Sequence, residues 1–181
     1  MAADARHMAS DAHRRTPDHI LAATRCVLGA IDLDPASDAN ANTHVQAQVF
    51  WSEEGLFRDW SGFDGCPSRV WLNPPGGMLN MPSYRGSSAA AWWAKLHSEF
   101  SLGHVGEALF LGFTLEIMRT AQRFACPPPQ MYPYCIPKAR LEFPSSNGAG
   151  SSSPAAASAV FYLGPNTDRF RKVFGLIGWC T

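Results

Sequence analysis

Short apolar runs alternate with segments of helical period along most of this chain. Asp18 to Leu28 places Ile20, Leu21, Thr24, Val27 and Leu28 on one side of a helix, with Thr16 as its N-cap, Pro17 at the first helical position and Gly29 as its stop. Ile31-Asp32-Leu33-Asp34 alternates as a short strand and turns through Asp34-Pro35-Ala36-Ser37 into a helix of roughly Asp38 to Gln48. Val49-Phe50-Trp51 reads as a second short strand and Val70-Trp71-Leu72 as a third, buried one. The third stops abruptly at Asn73-Pro74-Pro75-Gly76, because proline has no amide to donate and restricts the residue before it. Ala89 to Phe100 predicts a helix whose tryptophans, Trp92 and Trp93, are divided between core and surface. Glu107 to Phe113 is apolar almost throughout, as expected of a strand at the centre of a parallel sheet. Thr114 is expected to cap a helix to about Phe124, and Pro127-Pro128-Pro129 breaks the chain. Met131 to Ile136 and Ser158 to Leu163 read as further strands, Asp168 to Phe174 as a terminal helix and Gly175 to Cys180 as a final apolar segment.

Strands and helices in alternation, followed by late strands joined by loops, predict an α/β fold with a mostly parallel sheet and an antiparallel edge. A length of 181 residues suits one domain with a sizeable core. Residues 1–14 read as a flexible terminus and 15–181 as the domain. Two segments carry no apolar period. Gly76 to Ser88 is expected to be a mobile loop over a site, and Pro144 to Ala157 a disordered or mobile one.

Formal net charge is zero, but it is unevenly distributed: residues 1–68 hold ten Asp/Glu and five Lys/Arg, residues 69–181 five and ten. Arg69, Arg85, Lys95, Arg119, Arg123, Lys138 and Arg140 form a basic set that suits phosphates, although a solvated mixed-charge surface explains the same count. Five cysteines without a Cys-x-x-Cys pair fit reduced thiols better than a disulfide frame, and neither they nor the six histidines have metal-ligand spacing. No apolar run approaches the ~20 residues needed to cross a bilayer, and Met1 to Arg15 has no signal-peptide core. No metal, no membrane and a cytoplasmic location are therefore the expectations.

The candidate chemistry lies at strand ends, where open α/β sheets bind their ligands. Asn73 beside Pro74 and Pro75 offers acceptors from its side chain and from a rigid backbone, which suits an NH2 group held with its lone pair toward an electrophile. A strand-ending turn explains the same residues. Asp34 at the end of the first strand suits a ligand's ammonium group, and amides opening the next helix its carboxylate; a helix-cap neighbourhood is the alternative. There is no Gly-x-Gly-x-x-Gly fingerprint. In Ser52 to Trp60 a carboxylate such as Glu54 is placed to meet ribose hydroxyls and an apolar residue such as Leu56 an adenine ring, or the apolar residues are simply core.

Asn73-Pro74-Pro75 resembles the (Asp/Asn/Ser)-Pro-Pro-aromatic signature of S-adenosylmethionine-dependent amino-methyltransferases. Thr16-Pro17, Asp32-Leu-Asp-Pro-Ala36, Gly55-Leu56 with Trp60, Trp71-Leu-Asn-Pro-Pro75, Trp93 with Lys95, Arg140-Leu-Glu-Phe143 and Ala159-Val-Phe161 follow one another in an order similar to that of the small phage-type DNA N6-adenine methyltransferases. The resemblance spans about residues 15 to 163. It implies a single-domain Rossmann-like methyltransferase fold, S-adenosyl-L-methionine as methyl donor, adenine in DNA as acceptor, and a bacterial or phage-infected host cell. It implies catalytic Asn73, Pro74 and Pro75; cofactor contacts from Thr16, Pro17, Asp34, Pro35, Ala36, Ser37, Glu54 and Leu56; and substrate contacts from Gly76, Tyr84, Trp92, Trp93 and Arg140. Gly76 departs from the pattern, which has an aromatic ring there to stack on a flipped base. Tyr84, Trp92 or Trp93 is expected to replace it, or the acceptor differs. Cytosine N4, a protein glutamine and an inert nucleic-acid-binding module are the alternatives. With no room for a separate recognition domain, a short or relaxed recognition sequence, or a homo-oligomer that supplies the missing contacts, is expected.

Overall fold

The computed structural model describes residues 15–61, 65–144, 151–152 and 157–181. The chain runs α1 (Asp18–Leu28), β1 (Leu33–Asp34), α2 (Ala39–Val45), β2 (Val49–Phe50), β3 (Ser68–Leu72), β4 (Met78–Met81), β5 (Tyr84–Ser87), α3 (Ser88–Ser101), β6 (Val105–Phe113) and α4 (Thr114–Thr120). Two short 3-10 turns then lead to β7 (Tyr134–Pro137), β8 (Phe143–Pro144), β9 (Ser151–Ser152), β10 (Ser158–Leu163), α5 (Thr167–Phe174) and β11 (Gly178–Cys180).

Seven strands make one sheet in the order β11-β7-β10-β6-β3-β1-β2. Strands β2, β1, β3 and β6 are parallel to one another. Strand β10 is antiparallel to both β6 and β7, so β7 runs along β6, and β11 reverses again at the edge. The sheet is thus α/β and mostly parallel, compatible with a Rossmann-like fold. The antiparallel element is not confined to the edge: β10 lies inside the sheet, six residues long and buried on both faces. Its apolar sequence, Ala159-Val-Phe-Tyr-Leu163, needs cover on both sides, which only an interior position supplies.

Helices α1, α2 and α5 cover one face. Ile20, Leu21, Val27 and Val45 pack there with Trp71, Leu109, Leu111, Tyr162 and Phe170. The other face packs Trp92, Trp93 and Leu96 of α3 and Ile117 of α4 against Leu33, Val70, Leu72, Phe110 and Phe161. Alternation along the strands divides the side chains between these two faces. Both tryptophans of α3 are core residues, 3% and 0% exposed, rather than half surface. Trp93 sits edge-on to Phe110 and Phe161 and donates to the Pro127 carbonyl at 3.0 Å.

Other boundaries shift for local reasons. Thr16 does not cap α1: the N-cap is Pro17, and the Thr16 hydroxyl is engaged elsewhere. Helix α2 is shorter than expected because Gln46 turns left-handed, with φ 58°, and ends it. Phe113, not Thr114, is the N-cap of α4, since the helix leaves β6 without an intervening turn. Gly76 to Ser88 is not a loop but the antiparallel hairpin β4–β5, its register running from Met78↔Ser87 to Met81↔Tyr84. Most of the loop expected over Pro144 to Ala157, and all of residues 1–14, lie outside the described residues.

The register of β1 on β3 is held by one ion pair. The Arg69 guanidinium donates to both Asp32 oxygens, at 2.8 and 2.7 Å; its own amide donates to Asp32 at 2.8 Å and its carbonyl accepts from the Asp32 amide at 2.9 Å. Burial alone would raise the Asp32 pKa, but the hydrogen bonds and charge of Arg69 lower it. A carboxylate lowered in the folded state adds stability above its unfolded pKa and loses it as pH falls through the folded one. Arg69→Met is therefore expected to lower the unfolding free energy by about 2–3 kcal/mol at pH 7, the cost of stranding a partly buried carboxylate. Urea unfolding at pH 7 and below pH 4 checks this, with the deficit shrinking in acid.

Candidate active site

From β1 the chain crosses through α2 to β2 on one side, while β3 crosses through α3 to β6 on the other, so the strand order reverses between β1 and β3. Such a switch point opens a crevice outside the carboxyl ends of its strands. Asp34 ends β1 and Asn73 follows the last residue of β3. By the Leu33↔Val70 register Asp34 is level with Trp71, and Asn73 stands two residues, ~6.6 Å, further along. Leu33, Val70 and Leu72 face α3, so alternation turns Asp34, Trp71 and Asn73 toward α1.

Asn73 is fixed by the segment that enters α1. Its Nδ2 donates to Thr16 Oγ1 at 3.2 Å, and Thr16 is itself 7% exposed. Among the described residues Asn73 Oδ1 accepts nothing, so the amide is oriented with its acceptor free. Pro74 and Pro75 are half-buried beside it, and Gly76 is exposed with nothing within 4 Å of where a Cβ would stand. The stop after β3 therefore presents side-chain and backbone acceptors on a rigid turn.

Asp34 is 3% exposed and has no cation beside it among the described residues. Burial pushes its carboxyl up to about 7, held back by hydrogen bonding from the Ala36 amide, at 3.2 Å, and by the nearby Ser37 hydroxyl, and pushed further by Asp38. The Ser37 hydroxyl is itself buried without a hydrogen-bond partner of ordinary geometry. A ligand cation would answer both the buried carboxyl and the unsatisfied polar surroundings. Two of the amides opening α2, expected to take a ligand carboxylate, are engaged within the chain. Those of Asn40 and Ala41 receive the Asp38 side chain, at 2.8 and 2.9 Å, because an aspartate at the N-cap is the nearer acceptor.

The loop after β2 folds back over the end of β1. Gly55 lies so close to it that a Cβ would come within 1.9 Å of the Pro35 carbonyl oxygen and 2.8 Å of Trp92 Cη2. The Gly55 carbonyl accepts from the buried Trp60 indole at 2.9 Å. Glu54 is exposed in a left-handed conformation, with φ 61°, a strained geometry that concentrates at functional sites. Leu56 is half-buried against the α3-side core, whereas the adjacent Phe57 is 72% exposed. Phe57 is an apolar group presented to solvent here and not a core residue, as the core reading of this segment would have it.

The remaining candidates are not brought together. Trp92 reaches the loop through Gly55 and Trp60 but is core, and Trp93 offers no exposed face. Tyr84 lies in the hairpin, its ring 5.2 Å from Phe124 and its hydroxyl donating to the Ser87 carbonyl at 2.9 Å. Arg140 is exposed and carries no ion pair among the described residues. Two clusters could not be seen in the linear spacing. Asp59, Glu99 and His104 place potential ligand atoms within 4.8 Å of one another, with the Lys95 ammonium already 2.5 Å from Glu99. Cys135 and Cys180 are cross-strand partners as free thiols.

No protein-family model, curated protein or solved structure matches the chain.

A carboxyl whose folded pKa is raised contributes stability that is full below its unfolded pKa and is lost as pH rises through the folded one. For Asp34 that window runs from about 4 to about 7. Asp34→Asn is expected to be more stable than the parent at pH 8, by on the order of 3 kcal/mol, and equal to it near pH 4. Thermal unfolding at the two pH values measures the difference.

Proposed function

We propose that this chain is an S-adenosyl-L-methionine-dependent methyltransferase acting on the exocyclic amino group of adenine (N6) in DNA. The observation that carries the reading is Asn73 at the switch-point end of β3, tethered through Nδ2 to Thr16 with its side-chain oxygen free. That arrangement, with the carbonyl of Pro74, suits an aromatic NH2 group as a pair of acceptors.

The residues around Asp34 fit the cofactor. Asp34 is a buried carboxyl without a cation, Ser37 holds a buried hydroxyl beside it in no hydrogen bond of ordinary geometry, and the Gly55 loop with exposed Glu54 and Phe57 borders the same strand end. S-adenosyl-L-methionine would supply an electrophilic sulfonium methyl. Asp34, helped by Ala36 and Ser37, would hold its ammonium; Glu54 would meet ribose hydroxyls, and Leu56 or the exposed Phe57 would offer an apolar group to a ring face. Asn73 Oδ1 and the Pro74 carbonyl would each accept one hydrogen of the target amino group. This turns the nitrogen lone pair away from the protein acceptors and toward the methyl, which is rate enhancement by positioning and fixed dipoles. The N–CH3 bond would form as the S–CH3 bond breaks with its electron pair going to sulfur, so the cofactor would leave as the neutral thioether S-adenosylhomocysteine and the nitrogen would give up one proton to solvent. A base inside a duplex cannot reach such a crevice, so the target nucleotide must leave the stack.

Gly76 and its open surroundings favour a second reading in which the planar NH2 belongs to cytosine N4 or a protein glutamine, because no ring stands after the two prolines. No helix among the described residues is long and apolar enough to cross a membrane; the DNA reading places the protein in the cytoplasm.

Mass spectrometry of nucleosides from a methylation-deficient bacterial host expressing the chain tests the proposal. N6-methyladenine is expected, and Asn73→Ala is expected to reduce it by ~100-fold or more, as loss of a preorganised polar group does elsewhere. Thr16→Val, which frees the Asn73 amide without removing it, should fall between the two. N4-methylcytosine instead of N6-methyladenine supports the second reading, and a cofactor-binding protein that methylates neither base sends the search to protein acceptors. Cofactor binding has its own signature. Calorimetric titration with S-adenosyl-L-methionine near pH 6 should release close to one proton as the ammonium displaces the Asp34 proton, and none at pH 9 or in Asp34→Asn.

A further inference from the structure

The hairpin that follows Asn73 has two unlike faces. Directly opposed residues of an antiparallel pair share a face, so Leu79, Met81, Tyr84 and Gly86 lie on one and Met78, Asn80, Arg85 and Ser87 on the other. The first face turns inward: its side chains are half-buried, and Tyr84 packs on Phe124 and folds over Gly86, where a Cβ would come within 2.5 Å of the Tyr84 hydroxyl. The second turns outward except at its base, where Ser87 is buried and its hydroxyl oxygen accepts from the Ala90 amide at the start of α3. Met78 is 71% exposed, Asn80 and Arg85 are exposed cross-strand partners, and neither of the latter two has a side-chain partner among the described residues. Gly76 and Gly77, the latter at φ 84°, join this ribbon directly to the Asn73 turn.

Charge singles out a polyanion as its occupant. No aspartate or glutamate occurs between Asp64 and Glu99, a stretch that holds the Asn73 turn and the whole hairpin; Arg69 and Lys95 within it are paired with Asp32 and Glu99, and Arg85, on the outer face of the hairpin, is its cation without an ion pair among the described residues. A two-stranded ribbon fits the major groove, which is about 12 Å wide, and Asn and Arg are the side chains whose paired donors and acceptors match the edges of adenine and guanine there. Resting on the methyltransferase reading above, we propose that the outer face of β4–β5 is the DNA-reading ribbon of this protein, with Asn80 and Arg85 contacting base edges beside the target adenine. Recognition is then built into the catalytic domain, within a few residues of Asn73.

The test maps methylated adenines and their flanking bases in the DNA of hosts expressing the parent chain, Asn80→Ala, Arg85→Ala, Arg85→Lys and, as a control on α5, Lys172→Ala. In vitro methylation of oligonucleotides across a salt series accompanies it. The parent should show a flanking preference. Asn80→Ala and Arg85→Ala should each relax it at one flanking base pair by about tenfold or more while still methylating the remaining contexts. Arg85→Lys keeps the charge but loses the planar fork, so it should relax the preference with an unchanged salt dependence. Lys172→Ala should leave the preference unaltered. A parent enzyme without flanking preference overturns the inference, as do hairpin variants that retain the parental context and lose activity uniformly, the behaviour of phosphate contacts. Absence of any methyladenine from the parent overturns the methyltransferase reading itself, an outcome distinct from either.

Discussion

The pairing of Asp32 with Arg69 sets where everything else in the crevice lies. Two short parallel strands have few ladder bonds between them, and a slip of one residue would turn every side chain to the opposite face. Four hydrogen bonds between these two residues remove that freedom at the base of β1 and β3. Two residues along, Asp34 must then emerge at the end of β1 on the α1 side, and Asn73 at the end of β3 on that same side. Trp71, level with Asp34 and 0% exposed, packs on that side too.

Asp32 and Asp34 show how one strand treats like residues in opposite ways. Asp32 has a guanidinium and is held ionised below the usual carboxylate range; Asp34 has none and is driven up to about 7. The first is a structural charge, answered within the chain. The second has no counter-charge within the chain, and with the buried Ser37 hydroxyl beside it and the left-handed Glu54 it concentrates polar frustration at one end of the sheet. At the other end, buried polar groups are paired: Glu107 accepts from the Tyr162 hydroxyl and from Asn166, and Glu99 from Lys95 and His104. The contrast between satisfied and unsatisfied ends is what gives the crevice its claim to a ligand.

Much of this was readable along the chain. Helix α1 and strand β10 run between the expected residues, and the strand stop at Asn73 follows from two prolines alone. The hairpin was not readable, because Met-Leu-Asn-Met and Tyr-Arg-Gly-Ser carry a weak alternation that a Gly-rich context disguises. Nor was the fate of Trp92 and Trp93: adjacent residues on a helix point about 100° apart, and only the breadth of the α3-to-sheet contact allows both to be buried. Thr16 looked like an ordinary cap, and its hydroxyl instead meets a side chain 57 positions later.

The sequence by itself determined most of the parts: the helices and the strands of the large sheet, though not the hairpin, that the third strand ends in acceptors at Asn73-Pro74-Pro75, and that an acidic residue closes the first. Periodicity, caps and prolines act over a few residues, so they are legible locally. Only the tertiary structure decided which parts meet. It placed the reversed strand β10 inside the sheet, removed Trp93 from any surface, paired Thr16 with Asn73 and gave Phe57 and the outer face of the hairpin to solvent. Those outcomes depend on burial and long-range pairing, which follow from the packing of the whole sheet and not from the residues on either side.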